Sequence, residues 1–134
     1  MTLRNLFTAV ALALPAVTGV AMAEDTAILR IKAESGGAFF AAECQRCHAV
    51  DSTHESYGPK LEGVIGRKAG SVEGYPYSDA LKAASFVWTE PALRAWMEDN
   101  QGFVPGTKMR HVGIDDPAVQ EFILAYLRSA PKAE

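Results

Sequence analysis

The chain has 134 residues, 49% of them hydrophobic and 22% charged, with 13 Lys+Arg against 16 Asp+Glu for a formal charge of −3. Those values place it among ordinary globular chains of one domain and argue against nucleic acid as a partner, since such binders carry a basic surface. Two cysteines are present; in an exported chain the default reading would be a structural disulfide, but their spacing points elsewhere.

At the N-terminus Arg4 supplies a positive start, residues 6–20 an apolar run, and Ala21-Met22-Ala23 a small-x-small cleavage site. This predicts a signal peptide over 1–23, cleavage after Ala23, delivery to the periplasm and a mature domain over 24–134. The apolar run is short and broken by Pro15, so stable membrane insertion is not expected. The leader holds one base and no acid, so its removal leaves a more acidic domain. About 110 residues suffice for one modest core, which a large buried cofactor would help to complete.

Residues 24–31 contain Ile28, Leu29 and Ile31 and read as either an extended or a helical lead-in. Residues 32–44 are rich in helix formers, apart from Gly36 and Gly37, which cost about 1 kcal/mol each relative to Ala and imply a closely packed neighbour. A short helical turn is expected near 78–84. A further helix begins with Thr89 as cap and Pro91 in its first turn, sets Leu93, Trp96 and Met97 on one face, and ends at Asn100 and Gly102. The last helix follows Asp115 and Asp116, opens with Pro117 and repeats Val119, Phe122, Ile123, Tyr126 and Leu127 at helical spacing. The stretches between are rich in Gly and Pro and show no period-two alternation. The predicted class is all-α, with three main helices, short helical turns and long loops; loops that long need something central to organise them.

Cys44-Gln45-Arg46-Cys47-His48 is C-x-x-C-H, the attachment signal for one covalent haem c. In a helical turn Cys47 lies on the same side as Cys44, so both thiols can meet one porphyrin edge while His48 projects beneath it. Export agrees, because attachment occurs on the exported side. A thiol–disulfide redox pair leaves His48 unexplained, and zinc would have only His54 and His111 as further imidazoles.

Met97, Met109, His54 and His111 are the candidates for a second axial ligand. Met97 shares a face with Leu93 and reads as core packing, and His54 follows His48 too closely to cross the ring. Met109 ends the stiff turn Pro105-Gly106-Thr107-Lys108 and is preferred. His111 is its rival, although its side chain is expected to be solvated.

With these residues in hand, the sequence resembles the class I c-type cytochromes over 36–128. Beyond Cys44 to His48, the likeness rests on Gly58-Pro59-Lys60-Leu61, Gly63-Val64-Ile65-Gly66-Arg67-Lys68, Tyr75-Pro76-Tyr77-Ser78-Asp79-Ala80, Trp88, Pro105 to Met109 and Ala125-Tyr126-Leu127. The resemblance implies the cytochrome c fold wrapped around one haem, with His48 and Met109 as axial ligands. It implies that Gly36 and Phe40 meet Ile123 and Tyr126 where the first and last helices cross. It also implies that the Pro59 carbonyl fixes the His48 ring and that Arg67, Tyr77 and Trp88 hold the haem propionates, although Tyr77 and Trp88 also fit plain core packing. Trp96 stands where many relatives carry Tyr near the Met ligand, and Leu81 where an amide is common. A less polar methionine side is therefore expected, with a potential at least as positive as in relatives. Glu43, Gln101 and Gly102 fall at positions where relatives often carry docking lysines, of which Lys108 remains; Lys60, Lys68 and Lys82 could still form a positive face.

The implied function is electron transfer between Fe(III) and Fe(II) states without catalysis, by a monomer serving larger redox proteins: a membrane oxidoreductase, an oxidase, a reaction centre or a soluble dehydrogenase. Closed His/Met coordination separates such a carrier from a catalyst. Two other readings remain at this stage. One is an electron-accepting subunit held by a single dehydrogenase or oxidase, favoured by the extra 24–31 segment and the thin lysine ring. The other is a haem peroxidase or gas-binding sensor with a labile Met109.

Overall fold

The helix formers of the N-terminal half build one long element in the computed structural model, which describes residues 18–49 and 56–130, with the backbone alone for 18–23. The expected leader up to residue 17, His54 and the last four residues lie outside the described residues. The first helix, α1 (Thr18–Glu43), runs through the lead-in left open at 24–31 and through both glycines. Residues 24–31 are exposed along their whole length, with Ile28, Leu29 and Ile31 at 45%, 56% and 55%.

Packing explains why Gly36 does not break α1. The last helix, here α5 (Pro117–Ser129), crosses it there, and a Cβ on Gly36 would run into the Phe122 carbonyl oxygen. Only glycine permits that approach. Phe39 stacks on Phe122 at 5.7 Å and Phe40 meets Tyr126 at 5.2 Å. Phe40, Ile123 and Leu124 are 1%, 1% and 0% exposed, so the crossing is the driest part of the core. Burial of three such side chains, at about 1.5–3 kcal/mol each, outweighs the glycine cost of about 1 kcal/mol apiece.

Between them lie α2 (Asp79–Ala83), capped by the Ser78 hydroxyl, and α3 (Glu90–Glu98), capped by Thr89 with Pro91 in its first turn. The expected end of α3 at Asn100 and Gly102 is corrected by the structure. The helix stops at Glu98, and Asp99 caps a separate short helix, α4 (Asn100–Phe103), by accepting from the Gly102 N–H at 2.8 Å. A side-chain acceptor that competes with the helical ladder causes the break. At α5 Asp116 caps in the same manner.

Among the described residues there is no strand, only one antiparallel bridge between Lys68 and Val87. Bonds from Gly66 N to Trp88 O, Trp88 N to Arg67 O and Ala69 N to Phe86 O, at 2.8–3.0 Å, stitch two loops together there. At the α3–α5 contact, Arg128 donates to Glu90 at 2.6 and 3.0 Å and to Glu121 at 3.1 Å, and Arg94 also donates to Glu121. The Arg128 hydrogen bonds hold the Glu90 carboxyl below its ordinary value. Among the described residues no helix is long and apolar enough to cross a membrane.

Candidate haem site

The C-terminal end of α1 unwinds into the motif. Cys44 N bonds Phe40 O at 2.8 Å, and Cys47 N and His48 N both return to Cys44 O at 3.0 and 2.9 Å. The motif is therefore a tight turn with both cysteines on one loop, and the thiols are free. Burial, with the neighbouring Glu43 charge, pushes the Cys44 thiol up to about 12.

His48 points into a cavity of about 240 Å³ bordered by α1, α3, α5 and the loops between them. Its Nδ1 lies 2.9 Å from the Pro59 carbonyl oxygen. A carbonyl can only accept, so Nδ1 carries the proton and Nε2 keeps its lone pair. Burial lowers the His48 pKa, and the Pro59 bond opposes that in part, so the ring is neutral at pH 7. Gly58 closes the other side: a Cβ there would sit 2.6 Å from Nδ1. The Gly58-Pro59 pair thus sets both the tautomer and the plane of the ring.

Met109 reaches the same cavity from the C-terminal half. The Trp96 indole Nε1–H donates to its sulfur at 3.1 Å. The methionine side is thus mixed: Leu81 is buried on the cavity wall and supplies no polar atom, while Trp96 puts a donor directly on the thioether. His111 also lines the cavity, and the expectation that it is solvated is overturned. Its side chain is 16% exposed, its Nδ1 accepts from the Gly113 N–H at 3.1 Å, and its Nε2 faces Glu43 at 4.0 Å. Met97 is buried among core residues, as its helical spacing predicts, and also borders the cavity.

Pro59, Arg67, Tyr77, Trp88 and Trp96 all line this one cavity, so the structure gathers every residue singled out from the sequence for cofactor binding. Arg67 also does something the sequence did not announce. Its Nη1 and Nη2 donate to the carbonyls of Glu62 and Lys60 at 2.8 and 2.7 Å, so it braces the loop next to Pro59. Burial lowers its pKa and raises that of Tyr77, and each group feels the other's charge. Trp88 packs edge-on to Phe86 and Trp96 at 4.8 and 5.1 Å. Lys108, read as a docking lysine, donates to the Pro76 carbonyl at 2.7 Å, and Lys82 lies 3.5 Å from Asp79.

The donor set fits a c-type haem. Phe40, Leu61, Val64, Leu81, Leu93, Ile114, Ile123 and Leu127 give the cavity its apolar walls, two thiols stand on one turn, and a neutral imidazole and a thioether both reach inside. Arg67 and Tyr77 provide polar groups at the same cavity.

The family model described as cytochrome c matches residues 33–131. Cytochrome c2 iso-2 of Magnetospirillum fulvum is 40% identical over 86 residues, which is 64% of this chain and 90% of that protein. Cytochrome c-550 of Nitrobacter winogradskyi is 39% identical over 100 residues, 74% of this chain and 91% of the relative. Among solved structures, cytochrome cH from Methylobacterium extorquens is similar with a TM-score of 0.66 and 42% identity, covering 72% of this chain and 96% of its own.

Proposed function

Because this chain belongs to the cytochrome c family and is a mono-haem electron carrier with one covalent haem c, we propose that it works in the periplasm as a monomer, cycling electrons between larger redox complexes. When bound, haem c supplies the reversible Fe(III)/Fe(II) couple. Cys44 and Cys47 would hold it through thioethers, His48 Nε2 and Met109 Sδ would ligate its iron, and Pro59 orients His48. Arg67, Tyr77 and Trp88 receive the propionates, which need polar partners when buried. Trp96 tunes the sulfur. Export follows from the leader read over 1–23, with cleavage after Ala23 and a cytochrome c domain over 24–134.

The observation that carries this reading is the meeting of the His48–Pro59 pair and the Trp96–Met109 pair in one apolar cavity beside two thiols. His48 and Met109 both reach the cavity and would together close the two axial positions of a bound haem, which favours electron transfer without catalysis over the peroxidase or sensor reading. Partners are a membrane oxidoreductase, an oxidase, a reaction centre or a soluble dehydrogenase, met through small transient surfaces.

The test is the visible spectrum of the oxidised and reduced protein beside Met109→Ala. The parent should be low-spin with a far-red thioether-to-iron band, and the variant should lose that band while keeping the covalent pigment and histidine ligation. A parent without the band would sink the axial assignment.

A further inference from the structure

The segment that carries Met109 runs without regular structure from 104 to 116, after the Pro105-Gly106 turn. Among the described residues, the carbonyls of Thr107, Met109 and His111 take no backbone donor. Side chains of α4 meet them instead. Gln101 Nε2 donates to Met109 O at 2.7 Å and lies 3.3 Å from Thr107 O, while Asn100 Nδ2 lies 3.5 Å from His111 O. Asn100 is 1% exposed, and its Oδ1 sits 3.2 Å from the same Gln101 nitrogen. Two side-chain amides thus serve three alternate carbonyls, the task a neighbouring strand performs in a sheet.

Not every bond to these carbonyls ties the segment down. Arg110 Nη1 also reaches Thr107 O and Met109 O, at 2.6 and 3.2 Å, and Thr107 Oγ1 accepts from Met109 N at 3.4 Å. Those donors and acceptors belong to the segment itself and travel with it. Gln101 belongs to α4, whose N-terminus Asp99 fixes directly behind α3. The 2.7 Å bond to Met109 O is therefore the shortest polar tether joining the backbone of the methionine itself to the helical frame.

We propose that Gln101, oriented by Asn100, is a positioning residue for Met109: its amide holds the backbone of the methionine so that the sulfur stays seated in the cavity. The proposal rests on Met109 being an axial ligand. A side chain that cannot donate leaves the carbonyl of the ligand unmatched on its α4 side, and the segment then swings away more often. The cost falls on the lifetime of the sulfur–iron contact rather than on the α1–α5 core.

The test uses the complete haem-loaded protein in its ferric state, with imidazole as the entering ligand, because its binding rate at saturating imidazole reports loss of the thioether. Gln101→Leu removes the donors and keeps the reach; Gln101→Glu keeps the shape and offers only acceptors. Both should bind imidazole about fivefold to tenfold faster, the factor that one net hydrogen bond is worth, whereas Arg110→Leu should stay within about twofold. The urea midpoint of global unfolding should move far less than the rate. Parent-like imidazole rates in both Gln101 variants, or an equal acceleration in Arg110→Leu, would overturn the proposal. Should Gln101→Leu fail to mature, Gln101→Glu decides alone. A parent lacking the far-red thioether band would show the failure to lie in the Met109 assignment instead.

Discussion

Replacing Trp96 by Phe removes the Nε1–H that stands 3.1 Å from the Met109 sulfur and keeps an aromatic ring against Trp88 and Phe103, now 5.1 and 6.4 Å away. A hydrogen bond drains density from the thioether lone pairs. The oxidised iron, with its extra positive charge, needs that density more than the reduced iron, so the Trp96 bond favours reduction. One net hydrogen bond is worth about 1 kcal/mol. At about 1.4 kcal/mol and 59 mV per decade for one electron, this sets an upper limit of about 40 mV. Trp96→Phe should therefore lower the midpoint potential by about 20–40 mV, and the smaller ring should cost about 1–2 kcal/mol of stability. Equilibrium redox titration measures the first quantity, and the far-red band in the same sample checks that sulfur is still bound. A potential that is unchanged or raised while the band persists would refute the argument that the indole acts as a donor to the ligand.

Two further outcomes follow from the packing. Gly36→Ala sets a methyl group against the Phe122 carbonyl, so the helices must separate; a loss of about 2–4 kcal/mol in urea unfolding is expected, and a near-neutral effect would contradict the closeness of the crossing. Arg128→Met removes the bonds that depress the Glu90 pKa, and a depressed carboxyl stabilises the fold above its ordinary value of 4.5 and loses that effect as pH falls through the folded value. With both partners about a third exposed, the variant should be about 0.5–1 kcal/mol less stable near pH 7 and match the parent near pH 3; a deficit that persists in acid would show that packing, not charge, is responsible.

Much of this arrangement was legible in the residues because the relevant signals are local. C-x-x-C-H, the Thr89 cap, Pro117 at the helix start and the helical spacing of 119–127 each act within a few residues, and the structure has Thr89 capping α3 and Pro117 opening α5. Gly36 was legible as an oddity whose cause lies far along the chain, in Phe122. The less legible features are those in which a side chain serves backbone distant in sequence. Arg67 reaching back to two carbonyls and Gln101 reaching forward to Met109 leave no periodic trace. The split between α3 and α4 had a signal in Asp99 three residues before Gly102, but it competes with the helical ladder over a single turn. The lead-in at 24–31 stayed ambiguous because its apolar residues meet no partner: all eight positions are exposed, so burial imposes no pattern on them.

That outlying stretch of α1 also fixes a distance. At 1.5 Å per residue, Glu24 stands about 30 Å along the helix axis from the turn that holds Cys44. Anything attached at Glu24, whether a fluorophore, a resin or an electrode linker, is kept well away from the redox centre on a stiff spacer. Glu24 is not among the residues that line the cavity, so immobilisation there would leave the cavity lining untouched and let contact and charge exchange be manipulated separately.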